Sequence, residues 1–94
     1  MNGSSVFKSQ KLLKVSVQHD GELLRSVSIH GDFFLYPEDA IGELEKSLRG
    51  IALERPALEA VVAAFSSKAQ VFGFNAPDLA SAILIAAGKE QKPA

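Results

Sequence analysis

The sequence predicts an α+β fold, an antiparallel β-hairpin packed against three helices in the order β-β-α-α-α. Three observations predict it. Leu13, Val15 and Val17 alternate with Lys14, Ser16 and Gln18, the two-residue period of a half-buried strand. His19-Asp20-Gly21-Glu22 follows at once, and Asp-Gly suits the two positive-φ positions of a type I′ turn, so a second strand returns beside the first. Beyond Pro37 the apolar spacing becomes helical, with prolines at two helix starts and glycines past two helix ends.

Taken in order, residues 1–10 are polar and without periodicity, which reads as a flexible N-terminal arm. A single domain then spans 11–88. Its second strand, Leu23 to His30, sets Leu23, Val27 and Ile29 against Ser26, Ser28 and His30, and Leu24 and Arg25 break the alternation near the turn. Pro37 suits a first helical turn because its missing N–H has no partner there. Glu38 and Asp39 favour the positive end of that helix and Arg49 the negative end, before Gly50. Ile41, Leu44 and Leu48 form its stripe. A second helix restarts at Pro56, carries Leu58, Val61, Val62 and Phe65, and stops at Ser66-Ser67. The segment Gln70 to Phe74 fits either a third short strand or a loop pinned by two phenylalanines. Asn75 caps a third helix with Asp78 three residues on, and Leu79, Ala82, Ile83 and Ala86 run to Gly88. Residues 89–94 read as a frayed tail.

Composition narrows the function. The 94 residues are 47% hydrophobic and 22% charged, which is globular and argues against disorder. A net charge of −1 without a basic run argues against nucleic acid as a partner. Cysteine is absent, which excludes disulfides, thiol catalysis and thiolate metal sites and fits a cytoplasmic setting. The first residues lack the basic start and apolar core of a signal peptide. The longest apolar stretch, Leu79 to Ala87, is about half of the roughly 20 residues a membrane span needs.

Chemistry is hard to assemble from these residues. His19 in the turn and His30 at the end of the second strand stand about 35 Å apart at the ~3.3 Å rise of a strand, so they share no metal, and each reads as a surface histidine. Glu38 and Asp39 are explained by the helix dipole, and Glu43 and Glu45 fall on the solvent side of their helix. Ser66-Ser67 has no histidine or acid nearby, and the glycines are too scattered to cradle phosphate. No catalytic, cofactor-binding or metal residue is assigned. What stands out is Gly31-Asp32-Phe33-Phe34-Leu35-Tyr36-Pro37, which holds three of the seven aromatics. Such rings roof a small core or anchor a partner; Phe33 inward with Phe34 or Tyr36 outward satisfies both. Asp32 either caps N–H groups in the following turn, the favoured role, or points outward to a basic residue. Asp32, Phe33, Phe34 and Tyr36 are therefore the candidate partner contacts. Helices two and three are also apolar around most of their circumference, more than a chain this short readily covers, which again suggests a partner.

The order of features resembles the C-terminal accessory domain of lipoate–protein ligases over roughly residues 10–87. The resemblance rests on Leu12-Leu13-Lys14-Val15-Ser16-Val17, the Asp-Gly turn, Ile29-His30-Gly31-Asp32-Phe33-Phe34, Tyr36-Pro37-Glu38, and Leu48-Arg49-Gly50. These ligases activate lipoate with ATP to lipoyl-AMP and pass the lipoyl group to a lysine of an acceptor domain. The resemblance implies that ATP and lipoate bind a separate catalytic subunit, that this chain contributes no catalytic group, and that the two form a heterodimer. A chain of this length suits the arrangement in which the accessory domain is its own polypeptide. The other expectations kept open are a small protein-interaction module and a ligand-binding regulatory module unrelated to lipoate.

Overall fold

The computed structural model describes residues 2–90. The element order is β1 (Asn2–Lys8), β2 (Leu12–Asp20), β3 (Leu23–Gly31), β4 (Phe34–Tyr36), α1 (Ala40–Ser47), α2 (Arg55–Ser66), β5 (Gln70–Phe72) and α3 (Ala76–Ala86). The fold is α+β with three helices and antiparallel strands. These strands form a three-stranded sheet in the order β1-β2-β3 and a two-stranded sheet of β4 and β5.

Residues 2–8 correct the expected loose arm: they pair with β2 from Asn2↔Gln18 to Lys8↔Leu12. Small polar residues hid the strand, because its core face needs little apolar bulk. Gly3 lies so close to α3 that a β-carbon would overlap the Ala86 carbonyl oxygen. Ser5 Oγ donates to the Ala82 carbonyl at 2.8 Å. Beside them, Leu13, Val15 and Val17 of β2 are fully buried, as their alternation requires.

The β2–β3 turn has one left-handed residue, Gly21 (φ 57°), and not the two of a type I′ turn. Register shifts at Gln18/His19, so that Gln18 faces Ser26 while His19 faces Leu24, which leaves Arg25 as the extra residue of a bulge. An extra residue reverses the parity of the strand. Leu24 is therefore buried with Val27 and Ile29, while Leu23, expected on their side, is half exposed. The broken alternation at Leu24 and Arg25 was the mark of this bulge.

The helices follow their caps, with one change. α1 begins at Ala40, not at Pro37, whose peptide bond with Tyr36 is cis. Pro37 and Asp39 lie in the preceding turn, where their carbonyls accept from Ala40 and Gly42. Pro56 does occupy the first turn of α2. Asn75 caps α3, its Oδ1 accepting from the Asp78 N–H at 2.9 Å. Asn75→Ala is expected to lower stability by about 1 kcal/mol, read as a lower Tm without change in the folded far-UV spectrum.

α3 is enclosed by β1 and β2 on one side and by α2 on the other. Leu79, Ala80, Ala82, Ile83, Leu84 and Ala86 are all buried, which explains why its sequence is apolar nearly all round. Arg55 ties α2 to both ends of α3: it donates to Glu59, to the Pro77 carbonyl, to Ser81 and to Glu90. The hydrogen bond to Glu90 is the main reason its guanidinium is held charged more firmly than usual. Glu90 and Lys89, the latter paired with Glu22 at 2.8 Å, are thus fastened where a frayed tail was expected. The rest of that tail, 91–94, lies outside the described residues.

Candidate partner-binding face

β4 and β5 form a small ribbon that the sequence left undecided at Gln70 to Phe74. It is a strand, pairing Phe34↔Phe72, Leu35↔Val71 and Tyr36↔Gln70. The two-residue period places Leu35 and Val71 inward and the flanking residues outward. As a result Phe34, Tyr36 and Phe72 are 56%, 65% and 57% exposed on one face of the ribbon. Phe34 and Phe72 are directly opposite each other.

Phe33 behaves differently. It is half buried and meets Phe74 edge to face, with ring centroids 5.2 Å apart and planes at 87°. That contact pins the ribbon to the core, because Phe74 is itself buried. The expected division sets Phe33 inward with Phe34 or Tyr36 outward, and both Phe34 and Tyr36 face outward. Phe72 is the aromatic the sequence reading did not single out. Its signal was present, since Val71 inward in a strand forces Phe72 outward.

Asp32 is exposed, and its N–H donates to the Leu12 carbonyl at 3.0 Å. Among the described residues its carboxylate caps no N–H, so the favoured capping role gives way to an outward-facing acid. Glu45, expected in solvent, is half buried and accepts from the Ile29 N–H at 2.8 Å. Beside the ribbon, α1 and α2 diverge to leave a groove of about 310 Å³ lined by Pro37, Ala40, Val61, Ala64, Phe65 and Lys68. Ala60, Ala63 and Ala64 on the outer side of α2 are exposed. Pro37, next in sequence to Tyr36, lines this groove, whose rim also carries the polar residues Glu43, Ser47 and Lys68.

The two histidines lie at opposite ends of the β2–β3 hairpin. His19 correlates poorly with the surface role expected of it: it is 6% exposed on β2, with Nδ1 3.3 Å from the Gly21 carbonyl. Its burial follows from its place at the inward parity of β2. His30 lies at the other end of the hairpin, exposed, 3.0 Å from Ser28 Oγ. Among the described residues no three histidine, aspartate or glutamate side chains converge as metal ligands. No helix of the described residues is long and apolar enough to cross a membrane.

Comparison with known proteins gives this face a context. The profile of the family described as bacterial lipoate protein ligase C-terminus matches residues 12–83. The chain belongs to that family. Among curated proteins, the lipoate-protein ligase A subunit 2 of Thermoplasma acidophilum is 42% identical over 53 residues, covering 55% of this chain and 56% of that protein. The match thus spans little more than half the length of this relative. A solved chain from a structural analysis of an archaeal lipoylation system superposes with a TM-score of 0.78 at 30% identity, covering 88% of this chain and 94% of its own. That work describes a bipartite lipoate protein ligase and its E2 lipoyl domain from Thermoplasma acidophilum. In this lipoate protein ligase C-terminal domain, the segment Gly31 to Tyr36 and the whole β2–β3 hairpin lie inside the family match.

Proposed function

We propose that the chain is the non-catalytic accessory subunit of a two-part lipoate–protein ligase, acting in the cytoplasm. It docks on the catalytic subunit, which binds ATP and lipoate, and orders the site in which lipoyl-AMP forms. Excluding water there protects the activated acyl group before it reaches the acceptor lysine. The chain itself holds no cofactor and meets the lipoyl-acceptor protein only through its partner.

The observation that carries this reading is the exposed row Phe34, Tyr36 and Phe72 on a domain of this family. A large aromatic side chain has roughly 150–250 Å² to bury, so three half-exposed rings supply at most a few hundred Å². A stable interface needs about 800 Å² per partner. The docking face therefore extends from the rings, with Asp32 and Phe33 at its border, into the α1–α2 groove.

The test is ATP-dependent lipoyl-AMP formation by the catalytic subunit with and without this chain. Adenylate formation is expected to require the chain, and the chain alone is expected to form none. Equal adenylate yield in its absence defeats the proposal.

A further inference from the structure

We propose that the free edge of β1 pairs with β1 of a second copy, antiparallel about Ser5, to join two sheets into one. The inference stands on the three-stranded sheet and is independent of the ligase reading.

The hydrogen-bond parity of the sheet shows which groups that edge offers. The Asp32 N–H donates to the Leu12 carbonyl, which places even-numbered β2 residues in bonds to β3. In an antiparallel ladder bonding alternates, so Leu13, Val15 and Val17 turn to β1 and bond Phe7, Ser5 and Gly3. The N–H and C=O groups of Asn2, Ser4, Val6 and Lys8 consequently point away from the sheet. Among the described residues no backbone bond reaches them. The opposite edge is occupied at three points: Ile29 N–H donates to Glu45, Leu24 N–H to the Ile51 carbonyl, and Gly50 N–H to the Leu24 carbonyl.

Proteins usually blunt a free edge with proline, bulges or several charges. β1 has seven residues, no proline and one charge, Lys8, and its pairing with β2 runs without a register shift. A second copy fits it better than an arbitrary strand because the sequence is complementary to itself. Pairing about Ser5 sets Asn2 opposite Lys8, Gly3 opposite Phe7 and Ser4 opposite Val6. No like charges face each other across this pairing. The parity is conserved, so core-facing residues meet core-facing residues and the half-exposed Val6 gains a neighbour. A closed two-fold pairing of this kind ends at a dimer.

Sedimentation velocity of the full chain alone, from micromolar to near-millimolar concentration, is expected to show a monomer–dimer equilibrium. Val6→Pro removes an outward N–H without touching a bond to β2, which an edge strand tolerates. It is expected to raise the dimer dissociation constant by about tenfold or more, with circular dichroism unchanged. Independently of that variant, Ser5→Cys puts the chain's one thiol opposite its own copy and is expected to give a disulfide-linked dimer on oxidation, whereas Glu22→Cys at the far turn does not. A monomer throughout the range overturns the proposal. So does a dimer that ignores Val6→Pro and is not captured by Ser5→Cys. A monomer whose binding to the catalytic subunit is weakened by Val6→Pro assigns the edge to that subunit and also overturns it.

Discussion

Phe34→Ala combined with Tyr36→Ala is expected to raise the dissociation constant for the catalytic subunit about a thousandfold while leaving the domain folded. A central aromatic anchor contributes ~2 kcal/mol or more to binding, and two such losses correspond to roughly three decades in affinity. Both rings project from the outer side of the β4–β5 ribbon and are more than half exposed. Their removal therefore opens no cavity. Isothermal titration against the catalytic subunit measures the affinity, and circular dichroism of the variant alone measures the fold. Phe72→Ala provides an internal check, since Phe72 faces Phe34 across the ribbon and its loss should weaken binding in the same direction. Normal affinity of a folded double variant would remove these rings from the interface, and an unfolded double variant would make them core.

Ile83→Ala is expected to have the opposite signature, a large loss of stability that reaches binding only through unfolding. Ile83 has no exposed surface and sits on the helix enclosed by β1, β2 and α2. Truncating such a side chain costs about 2–5 kcal/mol through lost transfer energy and the cavity left behind. Domains of this size have only ~5–15 kcal/mol in total. At roughly 4–8 °C per kcal/mol, the Tm should fall on the order of 10–30 °C in calorimetry. Ala63→Ser on the exposed side of α2 is the matched control and should stay within about 0.5 kcal/mol of the parent. A Tm near the parent value for Ile83→Ala would contradict the enclosed position of α3.

Much of the fold was legible because its cues are local. Leu13, Val15 and Val17 alternate because each residue of a strand reverses direction, and no distant partner is needed to read that. Asn75 with Asp78, and Pro56, are helix-start chemistry confined to one turn. β1 was not legible for the same reason. Gly3, Ser4 and Ser5 give no apolar alternation, and the strand exists because Gly3 admits the Ala86 carbonyl and Ser5 bonds that of Ala82, both more than 70 residues away. The start of α1 was misplaced because Pro37 satisfies a turn as readily as a first helical turn. His19 is buried because β2 runs on to Asp20, which makes His19 the next inward position after Val17 and not part of the turn.

The candidate face divides in the same way. The cluster from Asp32 to Tyr36 is visible as a run of residues, whereas Phe72 joins it only when β5 pairs with β4. The broad apolar character of α2 and α3 raised a single expectation of a partner, and the two helices resolve it differently. α3 is covered by its own chain. α2 leaves Ala60, Ala63 and Ala64 exposed beside the groove.

By itself the sequence determined the α+β class, the hairpin, three helices with two of their starts, and the aromatic segment that marks the family. Each of these is written in residue spacing or in one turn of backbone chemistry. Tertiary structure alone decided which apolar surfaces stay uncovered, where the bulge reverses β3, and that residues 2–8 form an edge. Those outcomes depend on contacts between segments far apart in the chain, and residue order carries the tendency of a surface to be buried without stating what buries it.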